Sequence, residues 1–176
     1  MRIERVPNPP DVEDELLEFV FRVYRGTGGA YPALEWVEEK PSPGDFEGFE
    51  RVYRPFLRFR LGEEFDELYV LRDDEGRIAG TVALVYNLRG KKVWWVPEEI
   101  IDSKSGLVEF FMVDPEHRGK GYGSKLLNFA LKRLGEMEKV PYVITFPELE
   151  AYSYYLRRGF RRVMDYGRFV VLRFEP

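Results

Sequence analysis

Three glycines within five residues, Gly119, Gly121 and Gly123, separate an apolar run from an amphipathic one, and no other stretch constrains the fold as tightly. The apolar run extends from Gly106 to Val113. Asp114-Pro115-Glu116-His117 follows, then Arg118-Gly119-Lys120-Gly121-Tyr122-Gly123-Ser124, and Lys125-Leu126-Leu127 opens the amphipathic segment. This order predicts a strand, a tight turn and a helix starting near Gly121. Such a turn exposes consecutive backbone N–H groups, and the helix dipole places partial positive charge behind them. The segment is therefore suited to holding a phosphorylated ligand at the end of a strand. Leu126, Leu127, Ala130, Leu131, Leu134 and Met137 form the helix's buried stripe.

The remaining periodicities surround this unit with a mixed α/β pattern. Asp11 reads as the N-cap of a first helix, whose apolar face is Val12, Leu16, Leu17, Phe19, Val20, Val23 and Tyr24, ended by Gly26, Gly28 and Gly29. Residues 30–44 read as a loop. A second helix is predicted over 46–59, with Pro55 kinking or restarting it. Strands follow at 68–71 and 78–86, joined by the hairpin turn Asp73-Asp74-Glu75-Gly76, and Val93–Val96 reads as a further short strand. After the central helix come a strand at 142–146, a short helix at 149–158 and strands at 160–164 and 169–174. The expected order is α, α, β, β, β, α, β, α, β, β. It implies a central mixed, twisted sheet with helices on both faces.

Composition narrows the function classes. The chain has 176 residues, 44% hydrophobic and 33% charged, which suits one folded domain. No apolar run reaches the roughly 18–20 residues of a membrane span, and the N-terminus lacks a signal peptide's apolar core, so the expected compartment is the cytoplasm. Without cysteine there is no disulfide framework and no thiolate nucleophile or metal ligand. A net charge of −4 argues against a nucleic-acid partner, which needs a dominant basic surface. Glutamine is absent and asparagine occurs only at Asn8, Asn87 and Asn128, the bias of a thermophile's protein.

Arg118, Gly121 and Gly123 match the Arg/Gln-x-x-Gly-x-Gly/Ala signature of the GNAT superfamily of N-acetyltransferases, and Val113-Asp114-Pro115 leads into it as in that family. Downstream, Ala151 and Tyr155-Leu156-Arg157-Arg158-Gly159-Phe160 resemble the family's Ala-x-x-x-Tyr-x-x-x-Gly-Phe segment. Glu75–Gly80 is similar to its hairpin. The match covers about residues 68–174. It departs from the family at Pro147–Glu150, which lacks the asparagine that often contacts pantetheine there.

The resemblance implies a GNAT fold over residues 1–176. Residues 1–65 would be the variable acceptor-side helices, and 66–176 the acetyl-CoA-binding core. It implies an N-acetyltransferase that passes acetyl from acetyl-CoA directly to an amine, small or protein-borne, with no metal. The alternative is a non-catalytic acyl-CoA sensor or interaction module on the same fold. Arg118, Gly119, Lys120, Gly121, Tyr122, Gly123 and Ser124 would cradle the pyrophosphate, and the backbone of Phe111, Met112 and Val113 would pair with pantetheine. Tyr155 would sit near the coenzyme sulfur as a hydrogen-bond or proton donor.

Glu109 is the candidate base, because it interrupts an apolar strand and by simple alternation shares a face with Phe111 and Val113. An amine of pKa near 10 is neutral in about one molecule per thousand at pH 7, so a proton acceptor matters. The competing role for Glu109 is a structural carboxylate paired with an arginine. Glu98 and Glu99 are weaker candidates, expected to face solvent. His117, the single histidine, is expected to pack within the loop. Tyr24, Tyr31, Trp36, Trp94 and Trp95 are candidates for an acceptor pocket or for packing. The oligomeric state stands open between monomer and homodimer.

Overall fold

A computed structural model describes residues 2–176. Its elements are β1 (Ile3–Arg5), α1 (Glu13–Gly26), α2 (Phe46–Phe59), β2 (Glu67–Arg72), β3 (Ile78–Val85), β4 (Ser105–Val113), α3 (Tyr122–Glu136), β5 (Val140–Thr145), α4 (Glu150–Arg157), β6 (Phe160–Tyr166) and β7 (Phe169–Phe174). The strands form one mixed sheet of seven in the order β1-β2-β3-β4-β5-β7-β6, antiparallel throughout except for the β4–β5 pair. Buried residues of α1 and α2 cover one face, among them Leu16, Phe19, Phe49 and Leu57. On the other face α3 buries Leu126, Leu127, Ala130 and Leu134 against β3, β4 and β5.

Local chemistry explains most boundaries. Asp45 caps α2 by accepting from the Gly48 N–H at 2.9 Å. The β2–β3 hairpin turns as expected, with Asp73 Oδ1 accepting from the N–H groups of Glu75 and Arg77 at 2.9 and 3.0 Å and Gly76 at φ +83°.

Four expectations change. Asp11 does not cap α1: it lies in a 3₁₀ turn, Pro9–Val12, where it accepts from Asn8 Nδ2 at 2.8 Å, and the helix begins at Glu13. The strand β1 escapes the periodicity because it is only three residues long and is defined by its register against β2. Pro55 does not restart α2, which continues through it, and both Pro55 and Arg51, whose carbonyl the proline leaves without its helical partner, are exposed residues. Val93–Val96 is not a strand. Val93, Trp95 and Val96 instead bury themselves beside Leu88 and Ile100 in a satellite core beneath the long 86–104 connection.

After α2 the chain makes one π-helical turn, Arg60–Glu64, closed by the Phe65 N–H bonding to the Arg60 carbonyl at 2.9 Å. Such wide turns often occur at functional sites. Here the turn buries Glu64 completely and aims Arg60 back toward β4.

Candidate active site

The parallel pair β4–β5 holds together only at Ser105↔Val140, Gly106↔Pro141 and Leu107↔Tyr142. Past Leu107 the two strands part, and the open edge of β4 from Val108 to Val113 lines a cavity of about 870 Å³. That is at the upper end of the roughly 300–1,000 Å³ of ligand pockets, and the cavity buries an unpaired strand edge that a ligand with amide groups can satisfy.

One mouth of the cavity is the glycine turn. Gly119 and Gly121 both adopt φ +80°, a conformation that glycine takes without strain. Gly121 is the N-cap of α3, and no side chain caps this helix end and no acidic residue occupies its first turn. The N–H groups and the positive end of a 15-residue helix thus open toward the cavity with no side-chain cap among the described residues. Asp114 braces the turn from behind. It accepts from the Glu116 N–H at 3.0 Å and pairs with Arg22 of α1 at 3.1 Å, while Arg22 also reaches the Ile78 carbonyl at 2.8 Å.

Of the turn residues picked out by the sequence, Arg118, Gly119, Gly121, Tyr122, Gly123 and Ser124 line the cavity, as do Phe111, Met112 and Val113. Lys120 is exposed and lies outside the lining. His117 stacks on Tyr122 with ring centroids 5.7 Å apart, and its Nε2 lies 3.6 Å from Asp73. It packs within the loop.

Tyr155 and Glu109 both line the same cavity, but Glu109 reaches it differently from what alternation predicts. Tyr155 projects from α4, buried against Phe111, Tyr154 and Phe160. Burial pushes its phenol well above the ordinary value near 10.

Glu109 does not share the face of Phe111 and Val113. Ala83 pairs with Glu109 and Thr81 with Met112, so Phe110 and Phe111 together oppose the single residue Val82. This β-bulge holds Phe110 at φ +52°, and Thr81 Oγ1 donates to its carbonyl at 2.7 Å. The extra residue shifts the alternation by one. Phe110 and Met112 therefore join the α1–α2 core, Phe111 and Val113 pack on the α3 side, and Glu109 turns toward α2.

There Glu109 Oε2 accepts from Arg60 Nη2 at 2.6 Å and Oε1 accepts from the Trp95 indole at 2.7 Å. Arg60 Nε donates to Glu64 Oε1 at 2.9 Å. The guanidinium is ringed by Phe56, Phe65, Trp95 and Phe110 at 4.8 to 5.9 Å from the ring centres. Burial opposes its charge, but Glu64 and Glu109 outweigh that and hold it firmly ionised. Glu64 is driven the other way: burial raises it well above the carboxylate range, with Arg60 opposing and Glu109 adding to the rise. Its Oε2 has no hydrogen-bond partner.

Arg60 is the residue that sequence reasoning missed. The signal available was its i,i+4 spacing to Glu64; its approach to Glu109 spans 49 positions of chain. Of the aromatic candidates, Tyr31, Trp36, Trp94 and Trp95 line the cavity, whereas Tyr24 is a core residue whose hydroxyl donates to the Pro41 carbonyl at 2.6 Å. Glu98 and Glu99 are exposed. Leu149 and Glu150 line the cavity where family members often carry the pantetheine asparagine.

A parted parallel pair, a bulged central strand and an uncapped helix behind a glycine turn make up this mixed α/β fold, which is that of the GNAT acetyltransferases. The chain belongs to the GNAT acetyltransferase family, whose model matches residues 20–160. The match begins well before residue 68, where recognisable motifs start. A candidate acetyltransferase from Pyrococcus horikoshii is 57% identical over 98% of this chain and 96% of its own, with a TM-score of 0.81. The fold is also that of PaiA N-acetyltransferase from Thermoplasma acidophilum in complex with coenzyme A (15% identity, all of both chains covered, TM-score 0.63). A GNAT acetyltransferase from Brucella melitensis in complex with acetyl-CoA is similar too (19% identity, 99% of this chain and 90% of that one, TM-score 0.57). No match was found among curated proteins. Among the described residues no helix is long and apolar enough to cross a membrane, and no group of three or more His, Asp or Glu side chains is arranged to hold a metal ion.

Proposed function

We propose that this protein transfers an acetyl group from acetyl-CoA directly to a primary amine, residues 1–65 supplying the acceptor side and residues 66–176 the coenzyme side. The observation that carries this reading is the β4–β5 opening, with the uncapped N-terminus of α3 at one mouth and Glu109 and Tyr155 on its walls. The pyrophosphate would lie on the N–H groups of 119–124, and pantetheine would pair with the unpartnered edge of β4.

The amine nitrogen attacks the thioester carbonyl carbon, the C–S bond breaks, and the nitrogen's proton is lost as the sulfur leaves. No covalent enzyme intermediate is needed, and the chain has no cysteine to form one. Tyr155, raised well above 10, lies even further above a thiol's pKa of about 8.5, so full proton transfer to the sulfur is uphill. Its role is to stay protonated and donate a hydrogen bond to sulfur as charge develops there. Glu109 already accepts from Arg60 and Trp95, yet each carboxylate oxygen has a second lone pair. Through these it would take the amine's proton, with water between. The composition and the Pyrococcus relative support a thermophilic source, so assays belong at high temperature.

Calorimetric titration with acetyl-CoA tests the donor half. Saturable binding is expected, weakened about tenfold to a hundredfold by Gly121→Val, because a β-branched residue at φ +80° costs about 1–3 kcal/mol. No saturable binding, or binding indifferent to this change, would refute it. If the coenzyme binds but no amine is ever acetylated, the chain is an acyl-CoA sensor.

A further inference from the structure

Six aromatic rings form a continuous series along one wall of the cavity. Trp36 touches Phe56 (centroids 4.8 Å), Phe56 touches Trp95 (5.8 Å), Trp95 touches Trp94 (5.4 Å), Trp94 touches Phe169 (6.0 Å), and Phe169 stacks on Phe146 (4.7 Å). All six line the cavity, and they come from five separate places in the chain: the 30–44 loop, α2, the 86–104 connection, β7 and the end of β5. Two of them are left open to solvent, Trp36 at 42% and Trp94 at 54%. Exposing two tryptophans beside a cavity is costly unless something covers them in use, and contiguous exposed apolar surface marks a binding site. The chain's three tryptophans are all in this belt.

The charges around the belt restrict what can lie on it. Among the described residues, the carboxylates lining the cavity are Glu35, Glu109, Glu148 and Glu150, and four arginines, Arg60, Arg118, Arg157 and Arg158, line it with them. Glu109 is engaged by Arg60 and Trp95, whereas Glu35 makes no ion pair or hydrogen bond. A polyamine or a lysine-rich segment would bring several positive charges to a lining whose four carboxylates are already matched by four arginines. An amine with a single charge and a flat apolar body matches both features. Its ring would lie against the tryptophans, and its nitrogen would point toward the part of the cavity walled by Tyr31, Glu109 and Tyr155.

We infer that the acceptor is a small primary amine carrying an aromatic ring, an arylalkylamine, bound by the Trp36–Phe56–Trp95–Trp94–Phe169–Phe146 belt. This rests on the transferase reading above. The test compares acetylation of 2-phenylethylamine and tryptamine with that of n-butylamine, spermidine and a lysine-containing peptide, together with the acetyl-CoA dissociation constant. The aryl amines should exceed each comparator at least tenfold in kcat/KM, and tryptophan fluorescence should report the binding of 2-phenylethylamine. Trp36→Ala and Trp94→Ala should each raise KM for 2-phenylethylamine about tenfold, with kcat and acetyl-CoA affinity within about twofold.

Acetylation of spermidine, butylamine or the peptide as efficient as that of the aryl amines would overturn the inference and leave the transferase reading standing. Acetyl-CoA binding with no acetylation of any amine would remove both. Light scattering on wild type and variants covers the remaining occupant of the belt. A dimer that dissociates on Trp94→Ala while the kinetics stay unchanged would make the belt an interface between two copies and overturn the inference.

Discussion

Replacing Arg60 by methionine tests the electrostatic argument most directly. In the native protein one buried guanidinium serves two carboxyl groups, at 2.9 Å to Glu64 and 2.6 Å to Glu109, and the two acids are almost wholly shielded from solvent. Methionine keeps the apolar stem and removes the charge, so two carboxyl groups are left sharing a dry site. Breaking a buried pair by deleting one partner costs about 3–5 kcal/mol, because the remaining charge is uncompensated. With a denaturant slope of about 4 kcal/mol per molar in guanidinium chloride, the unfolding midpoint should fall by about 1 M.

The loss should depend on pH. Glu64 is already raised above its ordinary 4.5 in the folded state, and Arg60 is the group that opposes that rise. In Arg60→Met it rises further. A carboxyl whose folded pKa exceeds its unfolded one stabilises the fold below the unfolded value, and this contribution is lost as pH climbs through the folded value. The variant's deficit should therefore be smallest near pH 4 and largest at pH 8, and adding Glu64→Gln should recover part of it at pH 8. Guanidinium unfolding followed by circular dichroism at both pH values measures this. A deficit below about 1 kcal/mol, equal at both pH values, would refute the argument that Arg60 neutralises a buried acid pair.

Tyr155→Phe should lower kcat about a hundredfold and leave acetyl-CoA affinity unchanged, since its hydroxyl makes no hydrogen bond among the described residues and its ring packing is retained. Glu109→Gln should lower kcat/KM about a hundredfold in steady-state assays, as expected for loss of a positioned proton acceptor, with acetyl-CoA affinity unchanged. Activity within a few-fold of wild type would remove Glu109 from the proton path. Far from the cavity, Glu67 accepts from Tyr69 and Tyr86 hydroxyls and from Arg133; burial pushes its carboxyl up, but these partners bring it down to about 2 from 4.5. Its stabilisation is present above pH 4.5 and lost as pH falls toward 2, so Glu67→Gln should be less stable at pH 7 and flatter across that window in equilibrium unfolding.

What was legible in the sequence rests on local physics. The glycines at 119 and 121 are needed because the backbone there takes φ +80°, and the apolar stripe of α3 follows from helical period alone. The Asp73–Gly76 hairpin is likewise written in adjacent residues. These features are legible because each depends on a few neighbouring positions.

The wall of the cavity around Glu109 depends on distance across the chain. Glu109 reads as facing Phe111 and Val113 until the bulge at Phe110 inserts one residue and turns it to the opposite face, and no alternation pattern encodes that shift. Arg60 reaches Glu109 only because a π-helical turn aims it at β4, and the six rings meet only because five remote segments converge on the gap between β4 and β5. The sequence by itself determined the α/β element order and the glycine turn ahead of α3, since local backbone preferences suffice for both. The tertiary structure alone decided the surroundings of Glu109 and the shape of the aromatic wall, since these are set by contacts between residues that have no local relation to one another.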